Sequence, residues 1–276
     1  MRPRVVRGAL VALVSNMTVR TIALVSVVFA SSSCAPPCMP PVLFGHRGTT
    51  LYAPENTLPA FASAFDMGAD GIEIDVKRTS DHVLVAMHDA TTGRTTDDAS
   101  DRRVDELTLG EVRALDAGAW FGRRYAGTTV PTLEEVIAAL PEDRALLIDH
   151  LSSERIGLVV ALLDDDAALR ARTWVSSFDL DALAAFKERA PDVSVLAFAD
   201  HMSELDRARD MGARGFRIPK DRESDLELQD VVLAAGMLPA VSADYVQWNG
   251  GIGLVRDMET AVARREERAP EGCIAE

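Results

Sequence analysis

From residue 42 onward the chain alternates short apolar runs with helical patterns, and the number of alternations limits what it can fold into. Runs at 42–45, 71–76, 145–149, 173–178, 193–198, 215–219 and 238–241, with a terminal run at 272–275, read as strands. Helical periodicity occupies 57–67, 133–140, 154–163, 180–188, 203–211, 225–235 and 253–264. A tight turn at Ser80-Asp81-His82 lies between the second strand and a further run at 83–87. That run must return antiparallel, because a parallel crossover needs a dozen or more residues. Eight parallel strands remain once this hairpin arm is set aside. An α/β chain with that count closes as a (β/α)8 TIM barrel, since open doubly wound sheets usually stop at fewer strands.

The polar stretch 91–129 is too long for a simple connection. Residues 90–130 are therefore expected to form a small inserted subdomain after the second strand, within a barrel domain spanning 42–276. It carries one helix at 109–115 and the aromatics Trp120, Phe121 and Tyr125, which make either a small local core or a cap over the site. No Gly-x-Gly-x-x-Gly or P-loop signature is present, which removes the usual nucleotide-binding variants.

Chemistry in a barrel sits at the carboxyl ends of the strands, and three clusters fall there. Gly45-His46-Arg47-Gly48 ends the first strand. Flanking glycines let an anion approach the backbone, and a guanidinium grips phosphate oxygens bidentately. Glu73-Ile74-Asp75 lies in the second strand, where alternation puts both carboxylates on one face and Ile72, Ile74 and Val76 on the other. Two acids directed into a barrel call for a cation, and hard oxygen ligands suit Ca2+ or Mg2+. His88-Asp89 follows the hairpin, whose register is expected to set Met87 or His88 opposite Glu73. Asp149 closes the strand at 145–149 and offers another oxygen. His150 beside it alternates to the other face and reads as structural or surface; His82 and His201 read as solvent-facing.

These segments resemble the glycerophosphodiester phosphodiesterase family. The marks are His46-Arg-Gly48, Pro54-Glu-Asn-Thr57, Gly68-Ala-Asp-Gly-Ile-Glu-Ile-Asp75, His88-Asp89, Arg94-Thr-Thr96 and Val130-Pro-Thr-Leu-Glu-Glu135. The likeness runs from about residue 43 to 140, then more loosely to the end. It implies a barrel of the phospholipase C-like phosphodiesterase type and hydrolysis of glycerophosphodiesters to sn-glycerol 3-phosphate and an alcohol. It also implies that His46 and His88 form the acid–base pair and that Arg47 binds phosphate. Glu73, Asp75 and Asp149 would hold the divalent cation. Lysophospholipids are alternative substrates, and a cyclising phosphodiesterase or a non-catalytic phosphodiester-binding lipoprotein are alternative roles.

Two departures bear on the site. The family usually carries Glu-x-Lys where this chain has Asp149-His150-Leu151, so one acid is a methylene shorter and an ammonium is lost. Val241-Ser-Ala-Asp244 stands in place of a Trp-Thr-x-Asn motif, with Trp248 a few residues later.

The first 33 residues contain Arg2, Arg4, Arg7 and Arg20 and no acid, followed by apolar runs at 9–14 and 21–30. The second run is too short to span a bilayer but suits a signal-peptide core, with Met17 as an alternative start. Ser31, Ser32 and Ser33 then precede Cys34, a pattern that resembles a bacterial lipoprotein signal. Export is expected, either by an ordinary cleaved signal or with a lipid at Cys34 as the membrane attachment. Residues 34–41 read as a proline-rich tether. Cys38 and Cys273 either pair or remain thiols. The whole chain carries a formal charge of −14, which argues against nucleic acid as a partner but allows one phosphate in a locally cationic pocket.

Overall fold

The computed structural model describes residues 42–242 and 251–268. The expected signal, tether and cysteines, together with Trp248 and the run at 272–275, lie outside the described residues.

Eight parallel strands close into a barrel: β1 (Val42–His46), β2 (Gly71–Arg78), β4 (Ala145–Asp149), β5 (Thr173–Ser177), β6 (Ser194–Ala197), β7 (Gly215–Arg217), β8 (Leu238–Ser242) and β9 (Ile252–Val255). Closure is made by β1, which pairs in parallel with both β2 and β9. The antiparallel β3 (Leu84–Ala86) is the hairpin arm attached to β2 alone. The strand count of the sequence reading holds, but its last member differs. Residues 252–255, placed there inside a helix at 253–264, are the closing strand, and α9 begins only at Met258 and runs to Arg268.

Alternation explains the two sides of the wall. Ile72, Ile74 and Val76 of β2 point outward into the main core, against helices such as α1 (Leu58–Asp66) and α6 (Leu180–Arg189). Inside the barrel, Phe44, Leu147, Trp174, Leu196, Ile252 and Leu254 form a second apolar cluster. The closed interior is thus plugged by side chains, and only the carboxyl-end layer above the plug is free to be polar. Helix boundaries follow local chemistry. In α1, Pro59 stands in the first turn, and Gly68 ends the helix at φ +89. The helical stretch between β4 and β5 is two helices, α4 (Ile156–Leu163) and α5 (Ala167–Arg172), where the sequence pattern showed one.

The insertion has its own core, with Val85, Met87, Val104, Leu107, Val112 and Val130 buried together. Its helix α2 (Leu109–Arg113) starts at a capping box between Thr108 and Glu111. Trp120, Phe121 and Tyr125 stack edge to face on one another at 5.6 Å, and none of them lines the barrel cavity. They form the local cluster, not the cap.

Buried Asp98 ties this subdomain together. It accepts from the Thr92 hydroxyl at 2.7 Å, the Ser100 amide at 3.1 Å and Arg102 Nε at 2.9 Å. The Thr92 hydrogen bond and the others hold its carboxyl down to about 2. A depressed carboxylate contributes stability above its unfolded value near 3.9, and that contribution is lost as pH falls through about 2. Asp98→Ala is expected to lower the melting temperature by about 3–5 °C at pH 7 and by progressively less below pH 4. Thermal scans at several pH values check both the size and the trend.

Candidate active site

The polar layer above the plug is assembled from strand ends. His46 ends β1, Asp149 ends β4, Arg217 ends β7 and Ser242 ends β8. Glu73 and Asp75 of β2 stand beside them, with His46 in register with Glu73 and Asp75 with Asp149. These residues, with Arg47, His88 and His150, line a cavity of ≈ 170 Å³. Every site residue singled out in the sequence therefore faces one cavity.

The segment after β1 turns sharply. Arg47 has φ 56 and Gly48 φ +85; a Cβ at residue 48 would lie 2.6 Å from the backbone of Ala60, so only glycine fits. The turn aims the Arg47 amide at Glu73 Oε2, 2.8 Å away, and brings its guanidinium Nε to 3.1 Å from Asp75 Oδ2. Asn56, also left-handed at φ 56, donates from Nδ2 to Asp75 Oδ2 at 2.7 Å and accepts the Asp75 amide at 3.2 Å. Asp75 is thus held on both sides by the motifs at 46–48 and 54–57.

A chain of charge pairs links Arg47 to His88. Arg47 Nη1 bonds Glu55 at 3.0 Å, and Glu55 accepts two bonds from Arg94 of the insertion at 2.7 and 2.9 Å. Arg94 grips Asp89, and Asp89 accepts from His88 Nδ1 at 2.6 Å. The Arg94 hydrogen bonds hold Asp89 down to about 2, so it stays anionic and keeps the proton of His88 on Nδ1. Nε2 of His88 is then the nitrogen left for chemistry.

His88 does not sit opposite Glu73 as the hairpin register suggested. Val76 pairs with Ala86, and the Met87 amide donates to the Asp75 carbonyl, so His88 joins Asp75 instead. A larger correction concerns His150. Its φ of 60 reverses the alternation expected beyond the strand end. Leu151 goes into the outer core at 1% exposure, while the imidazole turns into the cavity. Nε2 stands 3.2 Å from Asp75 Oδ1, and the ring meets His88 edge-on at 5.2 Å. His82 and His201 are exposed, as expected.

Facing the acids is a cationic wall that the sequence reading did not single out: Arg217, Lys220 and Arg256, in addition to Arg47. Arg217 is fixed by Glu223 at 3.6 Å and lies over the Phe198 ring at 5.0 Å. Its signal was present, since alternation from Gly215 in a strand read as 215–219 places it inward.

Burial drives Glu73 well above the carboxylate range, and the charges of Asp75 and Asp149 add to the effect. Asp149 is raised by burial and by Asp75. Burial would raise Asp75 as well, but the hydrogen bond from His150, the charge of Arg47 and the Asn56 amide hold it below its usual range. Desolvation and the neighbouring Arg47 push His46 down to about 3, and its Nδ1 has no hydrogen-bond partner. Its ring is neutral at ordinary pH.

Glu73, Asp75 and Asp149 each bring one oxygen within 4.8 Å of the others. Two of these three buried acids are driven toward protonation for want of positive charge. A dication among them would supply that charge, and three carboxylates are the hard donors such an ion takes, so the residues fit it.

A family model described as the glycerophosphoryl diester phosphodiesterase family matches residues 46–217, more than half of the chain. A glycerophosphodiester phosphodiesterase from Caldanaerobacter subterraneus is 36% identical over 165 residues, covering 57% of this chain. The match spans 66% of that relative's length, just under two thirds. Among solved structures, a glycerophosphodiester phosphodiesterase from Agrobacterium tumefaciens superposes with a TM-score of 0.70 at 25% identity, covering 81% of this chain and 99% of that one. A phosphodiesterase from Oleispira antarctica, solved with the product sn-glycerol-3-phosphate, gives a TM-score of 0.73 at 25% identity, covering 82% and 97%.

Proposed function

The chain belongs to the glycerophosphoryl diester phosphodiesterase family, and from that we propose that it hydrolyses glycerophosphodiesters to sn-glycerol 3-phosphate and an alcohol with a divalent cation. The observation that carries the reading is the meeting of His46, Arg47, Glu73, Asp75, His88 and Asp149 around one cavity. The product seen in the Oleispira antarctica structure supports the same substrate class.

Glu73, Asp75 and Asp149 would hold the divalent cation, and three carboxylates are donors of the kind Ca2+ or Mg2+ takes. Bound there, it would supply positive charge to offset what builds on the phosphoryl oxygens. Arg47 and the Arg217 side of the wall hold the diester and share that neutralisation. Neutral His46 accepts the proton of the attacking hydroxyl, whether water or a neighbouring substrate hydroxyl. As the bond from phosphorus to the alcohol oxygen breaks, His88 Nε2 donates a proton to the departing alkoxide. Asp89 steadies the imidazolium that precedes this donation.

Phosphorus NMR of glycerophosphocholine incubated with the protein and cation tests the reading. Release of sn-glycerol 3-phosphate is expected; an early cyclic phosphate points to substrate-hydroxyl attack. Tight binding without turnover under Ca2+, Mg2+ or Mn2+ contradicts it and favours the phosphodiester-binding role that the loss of the lysine at Leu151 suggests. Lysophospholipids in the same assay set the substrate range.

The chain of charge pairs makes a further prediction. Arg94→Ala cuts the link from Asp89 to Glu55 and leaves the His88–Asp89 pair without its anchor. Steady-state kinetics are expected to show kcat lowered roughly 10- to 100-fold with a smaller change in KM. An unchanged kcat removes any role for the insertion in positioning His88.

Residues 1–33 are proposed as an export signal and Cys34 as the lipid attachment site. Metabolic labelling with palmitate, lost on Cys34→Ala, checks this.

A further inference from the structure

Resting on the cation-dependent reading above, we propose that His150 donates an imidazole nitrogen to the bound cation, giving a mixed nitrogen–oxygen site that prefers Mn2+ or Zn2+ to Ca2+ or Mg2+.

The case begins with what this chain lacks. Asp149 is one methylene shorter than glutamate, and its Oδ1 is already engaged by the His150 amide at 2.6 Å and the Ser176 hydroxyl at 2.8 Å. Only Oδ2 is left to reach toward an ion. Leu151, where a lysine is usual, is packed in the outer core. The same left-handed residue that sends Leu151 outward carries the His150 ring inward.

Its position suits a ligand. Nε2 lies 3.2 Å from Asp75 Oδ1, the separation of neighbouring donors on one ion. Asp75 belongs to two sets of converging donors: one with Glu73 and Asp149, the other with His88 and His150, each within 4.8 Å. The two imidazoles differ in their ties. His88 is anchored through Nδ1 to Asp89, Arg94 and Glu55, which fixes it for proton transfer. His150 is held through its backbone, with Arg155 donating to its carbonyl, and its ring is directed at the shared carboxylate. Ca2+ and Mg2+ favour oxygen alone, so an imidazole added to carboxylates moves preference toward divalent transition metals, weakly for Mn2+ at the start of that series and strongly for Zn2+.

Pulsed EPR of the full chain loaded with Mn2+ tests this, alongside calorimetric titration with Mn2+ and Ca2+. His150→Asn is the informative variant, because asparagine tolerates the left-handed backbone and the turn is retained. The wild-type protein and His88→Ala are expected to show nitrogen-14 coupling to Mn2+, and His150→Asn to lose it. The preference for Mn2+ over Ca2+ is expected to fall at least tenfold in His150→Asn. Mn2+ bound without nitrogen coupling, or coupling that survives in His150→Asn, overturns the inference and leaves the phosphodiesterase reading standing. Failure of every cation to bind overturns both.

Discussion

His46→Ala is expected to lower kcat for glycerophosphocholine by about 10²- to 10⁴-fold while leaving KM within a few-fold, the range for loss of a positioned proton acceptor. The argument is geometric before it is electrostatic. His46 ends β1 in register with Glu73, and its ring lines the cavity. Desolvation and Arg47 keep that ring neutral with the pocket empty, and the negative charge of a bound diester would raise its basicity. Alanine removes the base but leaves Arg47, the acids and the cationic wall, so binding of sn-glycerol 3-phosphate measured by calorimetry is expected to persist. Adding His88→Ala should cost much less than the product of the two single losses, because both rings serve one proton transfer cycle. Full activity in His46→Ala would remove the histidine pair from the mechanism.

Glu73→Gln is expected to act in opposite directions on stability and activity. The Glu73 side chain is buried at 1% exposure, and the amide of Arg47 donates to it. Its carboxyl is raised by burial and by two neighbouring acids. A raised carboxyl costs stability as pH rises above its unfolded value, so at pH 7 the neutral amide relieves that cost. The chelated variant should melt about 3–6 °C above chelated wild type. Cation at a hundredfold excess over its dissociation constant should raise the wild-type melting temperature by about 5–10 °C and the variant's by little. Activity should fall by about 10³-fold. Thermal scans with and without chelator, paired with initial rates, read all three effects. A variant that melts lower than wild type in chelator would mean that the acids do not repel one another in the apo site.

The barrel was legible because strands buried on both faces leave short apolar runs whose spacing counts the βα units. The closing strand was not, because Ile252-Gly-Leu-Val255 is four residues long and runs directly into the helical pattern of α9. A run that short does not reveal its own period. Glu73 and Asp75 followed from the two-residue repeat, and the hairpin was found although its register was misplaced relative to His88. His150 was misread for a single reason: alternation presumes extended backbone, and φ of 60 breaks that presumption. The available hint was modest, since histidine joins asparagine and aspartate among residues that tolerate the left-handed region. Arg217 and Lys220 follow from β7 and Arg256 from β9, and the two segments meet at one cavity only once the barrel closes. The charge chain from Arg47 to His88 likewise required Arg94 of the insertion to reach Glu55.

The most direct test of the whole account is a titration of metal-free protein with divalent cation, following occupancy by heat and glycerophosphocholine turnover in the same samples. The acids, imidazoles and Arg47 acting together require no turnover in chelator. Hydrolysis should then rise in step with occupancy of the Glu73, Asp75 and Asp149 site and stop rising when that site is full. Undiminished turnover in chelator, or a filled site with no hydrolysis, would contradict it.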